Sequence, residues 1–434
     1  MPHMTTLHHQ NARRGTRGNP APLRSHLPVI GVALLVIFNL ALPKGGIKIL
    51  NLPLTWGYLL LLLLTPLAGL GLIGRRQIAH EPLIQALACF MPTAAMVVAK
   101  ALLYDLPMQT WAIYVTIFGV LSGAMLIALV PYLEDVPADM LGRFLRLAMR
   151  FVVLWGLMNF VLRIVTGQFI EIPYVTVNAA DVGDIFSKMN NRGGLMKLVS
   201  TFNNGNIYGV CMVIVTPMYL LFEKNRTFVA LLFIALVCTL SRTVWFGVVG
   251  MIVMMIVGGQ IRLANPLVWL GTLAALLGVI ALMPVLGWSP DKLVDTRLGG
   301  RDVYFDAYEF TVLGGDHMQV PELVYYGFAQ SFGVLGMLFP LAGMLFAPVY
   351  AAINWATLNP LRRAAAIGAA SYLIAALIDG AFILPPTFVL FLFACGMVYR
   401  RGLHPDARAV APLATRFQGR AAPGRLVADR LPVR

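Results

Sequence analysis

Residues 204–259 read NGNIYGVCMVIVTPMYLLF, EKNR, TFVALLFIALVCTL, SR, TVWFGVVGMIVMMIVGG, so three apolar runs are parted by one four-residue and one two-residue polar break. A bilayer hydrocarbon core about 30 Å thick needs about 20 apolar residues to cross as a helix. The run 204–222 fits that length. The runs 227–240 and 243–259 are shorter and are expected to form a tight helical hairpin around Ser241 and Arg242. Working outward, nine more segments qualify: 27–43, 54–73, 82–102, 109–132, 147–167, 265–286, 323–351, 364–382 and 385–399. Segment 323–351 is long enough to be tilted or broken.

Composition agrees with this reading. Of 434 residues, 59% are hydrophobic and 12% charged, with a mean hydropathy of +0.78. Soluble proteins are about a quarter charged. A soluble enzyme, a disordered chain and a nucleic-acid-binding module are therefore excluded. The expected fold class is an all-α polytopic membrane protein of about twelve transmembrane helices, a transmembrane domain over 27–399 between tails 1–26 and 400–434. The apolar run after the basic tail lacks a small-residue cleavage site, so the first span is expected to be uncleaved. Cys89, Cys211, Cys238 and Cys395 all lie in apolar runs and read as small buried hydrophobes rather than a disulfide framework.

The net charge of +14 resolves by side. With both termini cytoplasmic, 22 of the 33 Lys and Arg fall inside, including Arg75, Arg76, Arg143, Arg146, Arg150, Lys224, Arg226, Arg262, Arg362 and Arg363. This is the positive-inside pattern, and it needs no nucleic-acid partner. The basic tail 400–434 is expected to touch anionic lipid. Both long connections, 168–203 and 287–322, then face outward, so chemistry is expected where they meet.

The first of these loops begins with a strand-like alternation, holds Lys188, Arg192 and Lys197, and ends in Ser200-Thr201-Phe202-Asn203-Asn204-Gly205-Asn206. Loop lysines are ordinarily just solvated. Arg192 sits beside Gly193 and Gly194, which permit close backbone approach. Arg242 lies at a membrane boundary between two apolar helices, where a basic residue either snorkels or serves function. The second loop carries Gly299-Gly300-Arg301, then aromatics at 304, 305, 308 and 310 that suit an interfacial helix over 301–313. His317 is the one outward histidine and the natural base at neutral pH; its plain reading is a loop residue. Glu322, after Pro321, is either a first-turn charge complementing the helix dipole or a functional carboxylate. Within spans, Arg163 and Asp379 read either as ion-pair members or as ligands of an outward cavity, Lys100 as a snorkelling side chain, and Gly119 with Gly123 as helix packing. There is no P-loop, dinucleotide fingerprint, CxxC pair, HExxH, GxSxG or spaced acidic metal pair, so no nucleotide, metal or other cofactor is expected. What remains is a set of outward arginines near a histidine and acids, which suits an anionic lipid-linked substrate: Arg forks grip phosphate, and a base takes a proton from an acceptor hydroxyl.

Four pieces together resemble the O-antigen ligase and O-antigen polymerase family of bacterial envelope glycan assembly. They are the 200–206 turn, Thr239-Leu240-Ser241-Arg242, Gly300-Arg301 with its following aromatics, and Phe332-Gly333-Val334-Leu335-Gly336. The resemblance covers roughly 200–340 and the plan of spans. It implies a GT-C-like, metal-independent, inverting glycosyltransferase of the bacterial inner membrane with a periplasmic active site. Its donor would be an undecaprenyl-diphosphate-linked glycan. Arg242, Arg301 and Arg192 would hold the diphosphate, and Glu322 or His317 would serve the acceptor, either another glycan or lipid A core. Membrane lipids and polysaccharide assembly proteins would be further partners. Family ligases carry a His-Asn pair where this chain has Glu322-Leu323, and the second loop is short for a ligase. Both departures favour a polymerase that joins repeat units of O-antigen, capsule or exopolysaccharide over a lipopolysaccharide ligase. A lipid-linked oligosaccharide flippase, in which Arg163 and Asp379 would carry the function, and a non-catalytic scaffold are the readings from other classes.

Overall fold

The structure is a computed structural model that describes residues 27–49, 52–73, 84–186, 190–192, 195–261, 277–278, 280–281, 283–284, 311–316, 318, 323–382 and 385–400. The chain is mostly helical with few strands, and among the described residues three helices are long and apolar enough to cross a membrane: Thr110–Ile127, Ala138–Thr166 and Gly205–Phe222. The pair Val324–Gly336 and Leu338–Ile353 would make a fourth, but it is bent by 108°. Most of the expected span 265–286 lies outside the described residues.

The helices, in chain order, are α1 (Leu27–Val36), α2 (Trp56–Ile73), α3 (Met91–Tyr104), α4 (Met108–Val115), α5 (Val130–Asp135), α6 (Ala138–Thr166), α7 (Gly205–Phe222), α8 (Arg226–Val237), α9 (Arg242–Val257), α10 (Val324–Gly336), α11 (Leu338–Ile353), α12 (Pro360–Ala375) and α13 (Pro385–Tyr399). Wide π-type turns at 116–121 and 124–129 join α4 towards α5, so the expected span 109–132 is present but irregular. Helix α6 starts nine residues before the expected span at 147, because its first turns carry Arg143 and Arg146 beyond the apolar stretch. The α8 and α9 hairpin is confirmed as a pair of short helices, with a turn of four residues (238–241) rather than two.

Helix α7 is the axis of the molecule, with 89% of it buried, and it packs against α6, α9, α12 and α13. It is apolar all round, as a helix enclosed on every side must be. Small residues set the spacing. A Cβ at Gly368 of α12 would overlap the backbone carbonyl oxygen of Ile214, and one at Gly209 would overlap Val244 of α9. Gly142 leaves room for the ring of Phe222. Close backbone approach of this kind is how helices associate where apolar burial alone does not discriminate. Gly119 and Gly123 likewise face Ala94 and Met91 on or beside α3. The outer surface is apolar in turn: Leu102, Val165, Val257 and Ile353 are each more than 70% exposed. A broad exposed apolar surface of this type marks contact with lipid or another protein.

The two ends of the bundle differ. At one end α6, α7 and α8 meet in a charged knot. Arg150 donates from Nε and Nη2 to the two carboxylate oxygens of Glu223, both at 2.8 Å. Tyr219 donates to the same carboxylate at 3.0 Å, the backbone N–H of Asn225 at 2.8 Å, and the guanidinium covers the ring of Phe228. Burial alone would raise the Glu223 pKa, but the Arg150, Asn225 and Tyr219 donors outweigh it and hold it below the ordinary carboxylate value. Arg362 and Arg400 join this end by donating to the carbonyls of Val398 and Val136. The other end carries the long loop 168–203 and a small β-hairpin between α1 and α2, β1 (Gly46–Ile49) paired with β2 (Leu52–Thr55). Trp56 Nε1 donates to the carbonyl of Tyr174 at 2.6 Å, and Lys48 pairs with Asp181 at 3.6 Å, so the hairpin is tied to the long loop.

Two outcomes follow. Gly368→Leu forces α12 off α7 and lowers stability by roughly 1–3 kcal/mol or more, read as a lowered unfolding midpoint of the detergent-solubilised protein. Because the folded Glu223 pKa is depressed, its contribution is complete above the unfolded value of 4.5 and is lost as pH falls through the folded one. The midpoint therefore drops on acidification below the carboxylate range, and Glu223→Gln removes that pH dependence while lowering the plateau at neutral pH.

Candidate functional site

The loop end of α7 gathers a cluster of buried polar residues. Ser200, Thr201 and Phe202 form a single 3₁₀ turn that dips into the bundle, and all three are buried. Ser200 Oγ donates to the carbonyl of Val152 at 2.7 Å, and Gly156 of α6 leaves space for Leu198 and Ser200. The turn is held in costly backbone conformations, with Ser200 at φ 51° and Asn203 at φ 56°. Non-glycine residues in this region persist where surrounding contacts over-determine them.

Each residue of Asn203-Asn204-Gly205-Asn206 has a distinct task. Asn203 takes the left-handed conformation that asparagine tolerates best among ordinary side chains. Asn204 is the N-cap of α7, its Oδ1 accepting from the N–H of Asn206 at 2.8 Å and of Ile207 at 3.3 Å. At Gly205 a Cβ would come within 2.8 Å of Lys197 Cβ. Asn206 is the bridge. Its Nδ2 donates to Asp379 Oδ2 at 2.6 Å, and its Oδ1 accepts from Lys197 Nζ at 3.0 Å. Lys197 and Asp379 are both almost fully buried. A buried charge survives in a protein only when it is compensated and hydrogen-bonded. Here a cation and an anion sit on opposite sides of one amide whose two ends match their signs.

The same turn is tied to the α8 and α9 hairpin, since the N–H of Leu198 donates to the carbonyl of Cys238 at 2.9 Å. Arg242 opens α9 immediately beyond, with an exposed side chain. Asn190 Nδ2 donates to the carbonyl of Asn203 at 3.2 Å, which locks the turn to the strand pair β3 (Asn191–Arg192) and β4 (Leu195–Met196). Arg192 therefore belongs to a two-residue β-ribbon lying just before the turn, opposite Leu195. Thr201 Oγ1, Tyr208 Oη and Asn190 Oδ1 are enclosed here without a hydrogen-bond partner among the described residues. Unsatisfied buried oxygens in one small region mark a place where water or a ligand group completes the bonding.

Of the residues expected to carry chemistry, the structure brings the Asn turn and the Ser-Arg hairpin together, with Arg242 at the hairpin's edge. Lys188, Arg301, His317 and Glu322 lie outside the described residues, as does most of the interfacial helix expected over 301–313. Its last three residues, 311–313, are not helical. The opening of loop 168–203, read as strand-like, forms isolated bridges at Pro173 and Val177 and short 3₁₀ turns. Arg163, read as an ion-pair member or a ligand of an outward cavity, stacks over the ring of Phe186 at 4.8 Å. Lys100 does not snorkel: it is buried, and its Nζ donates to the carbonyl of Ser331. Lys197 reads from sequence as a solvated loop charge, and Asn206 as part of the 200–206 turn without a role of its own. The available signal was weak: a polar side chain in the first turn of an otherwise apolar helix. Among the described residues no group of three or more His, Cys, Asp or Glu is placed to hold a metal ion.

No family model, curated protein or solved structure matches the chain.

Replacing Asn206 by Leu removes both bridging bonds and leaves Lys197 and Asp379 without the amide between them. The expected cost is about 1–3 kcal/mol, measured as a lower unfolding midpoint, with Asn206→Gln intermediate. Asn206→Asp is expected to be worse than Asn206→Leu at neutral pH, because it sets a second carboxylate against Asp379.

Proposed function

We propose that this protein is a bacterial inner-membrane glycosyltransferase of about twelve spans, both termini cytoplasmic. It would polymerise surface-polysaccharide repeat units carried on undecaprenyl diphosphate. The observation that carries the reading is the meeting of the Ser200 to Asn206 turn with the Ser241-Arg242 hairpin, through the bond between Leu198 and Cys238. Two of the four motif pieces that resemble the O-antigen ligase and polymerase family thus lie side by side at the loop end. A third, the Gly333 to Gly336 piece, falls on the break between α10 and α11. Segregation of Arg150, Arg362 and Arg400 at the opposite end suits a cytoplasmic face there.

In this reading Arg242 and Arg301, with Arg192, grip the diphosphate of the donor. Their guanidinium groups neutralise the charge that develops on the departing phosphate as the glycosidic bond forms. Glu322 or His317 takes the proton of the acceptor hydroxyl, which attacks the anomeric carbon from the face opposite the diphosphate and inverts it. The arginines supply the electrostatic stabilisation, so no metal is required and a chelator leaves the rate unchanged.

The test uses the purified full chain in liposomes with a lipid-linked repeat unit. Arg242→Ala and Arg301→Ala are each expected to lower polymer formation by about 100-fold or more, and Arg242→Lys to recover part of it, because lysine offers a charge without the bidentate fork. Correctly folded Arg242→Ala and Arg301→Ala variants that still build full-length polymer would overturn the proposal. Transfer of glycan to lipid A core instead of to a second repeat unit would assign the ligase subtype. Movement of the labelled lipid across the bilayer without bond formation would favour the flippase reading.

A further inference from the structure

The break between α10 and α11 is not a simple kink. Gly333 lies at φ 73° and ψ 174°, outside helical space. In an unbroken helix the N–H groups of Val334 and Leu335 would donate to the carbonyls of Gln330 and Ser331. Here they donate to the carbonyls of Thr311 and Val312, each at 3.1 Å. A segment from the second long loop therefore replaces the helix's own bonding partners. Two glycines make this approach possible. Gly314 is at φ 80°, and a Cβ there would come within 2.6 Å of the Ser331 oxygen; a Cβ on Gly333 would overlap Val312 and Gly314 backbone.

The exchange releases the Ser331 carbonyl inside a buried region. Lys100 of α3 takes it, its Nζ donating to that oxygen, and the charge of Asp316 at the end of the docked segment acts on the same ammonium. Burying a lysine is costly unless it is bonded and compensated, and both conditions are met at the break.

We infer that Lys100 is a positioning residue that latches the 311–316 segment of the outer loop into the α10 and α11 break. The latch fixes the depth and register at which the second long loop returns to the bundle. Its link to glycan transfer rests on the function proposed above; the latch itself does not.

The experiment is a disulfide cross-link in the full chain with its four native cysteines replaced. Val312→Cys and Leu335→Cys face one another across a backbone hydrogen bond and both side chains are exposed. Rapid cross-linking is expected with Lys100 present. Lys100→Met removes a charge-assisted bond and is expected to slow cross-linking by on the order of ten-fold or more; Lys100→Arg is expected to restore most of the rate. Gly314→Ala tests the latch without touching the buried cation and is expected to slow the reaction likewise. In the polymer assay with native cysteines, Lys100→Met is expected to lower kcat with little change in KM for the lipid-linked donor. Cross-linking by Lys100→Met and Gly314→Ala proteins that matches the parent rate would overturn the latch. Cross-linking that follows Lys100 in a protein that makes no polymer even with Lys100 intact would keep the latch and discard the proposed function.

Discussion

The backbone of an apolar chain must find its hydrogen-bond partners within the protein, and the two most irregular polar regions here follow from that. Where the chain is regular, helices satisfy themselves. Where it is not, other segments and side chains supply partners. The N–H groups of Val334 and Leu335 find Thr311 and Val312, and the Ser331 carbonyl finds Lys100. The first N–H groups of α7 find the Asn204 side chain. At the loop end of α7 and at the re-entry of the second loop, a second segment or side chain thus completes the bonding that the helix leaves open.

Charge follows the same logic. Two buried carboxylates sit near the opposite ends of α7, and each is held differently. Glu223 has a bidentate guanidinium, a hydroxyl and a backbone donor, which makes it a strut between three helices. Asp379 accepts from the amide nitrogen of Asn206, whose oxygen in turn accepts from Lys197. In the second arrangement one side chain bonds to both charges. It stands next to unsatisfied Thr201, Tyr208 and Asn190 oxygens and next to strained Ser200. A bidentate strut thus stands at one end of α7 and a strained polar cluster at the other.

Much of the fold was legible in the sequence because apolar run length is a strong physical signal. Segments 204–222, 227–240, 243–259 and 385–399 each became a helix near the expected bounds. The helices that deviated did so for identifiable reasons. Segment 323–351, expected to be tilted or broken, is broken, and the place of the break is set by Gly333, whose backbone conformation hydropathy does not register. Helix α6 ran past its apolar stretch because charged residues at its start are compatible with a helix outside the core. The Asn-rich turn was visible as a motif, but the pairing of Asn206 with Asp379, 173 residues apart, was not. Long-range polar bridges leave no periodicity, and a lone aspartate in a span announces a partner without naming it. Lys100 was misread for the same reason: its acceptor is a carbonyl freed by a distant glycine.

The most direct measurement is glycan analysis of cells lacking this gene, with surface polysaccharide and lipid-linked intermediates resolved by size. The account predicts loss of long polymer and accumulation of single repeat units on the lipid carrier. A profile identical to that of the parent cells would contradict it.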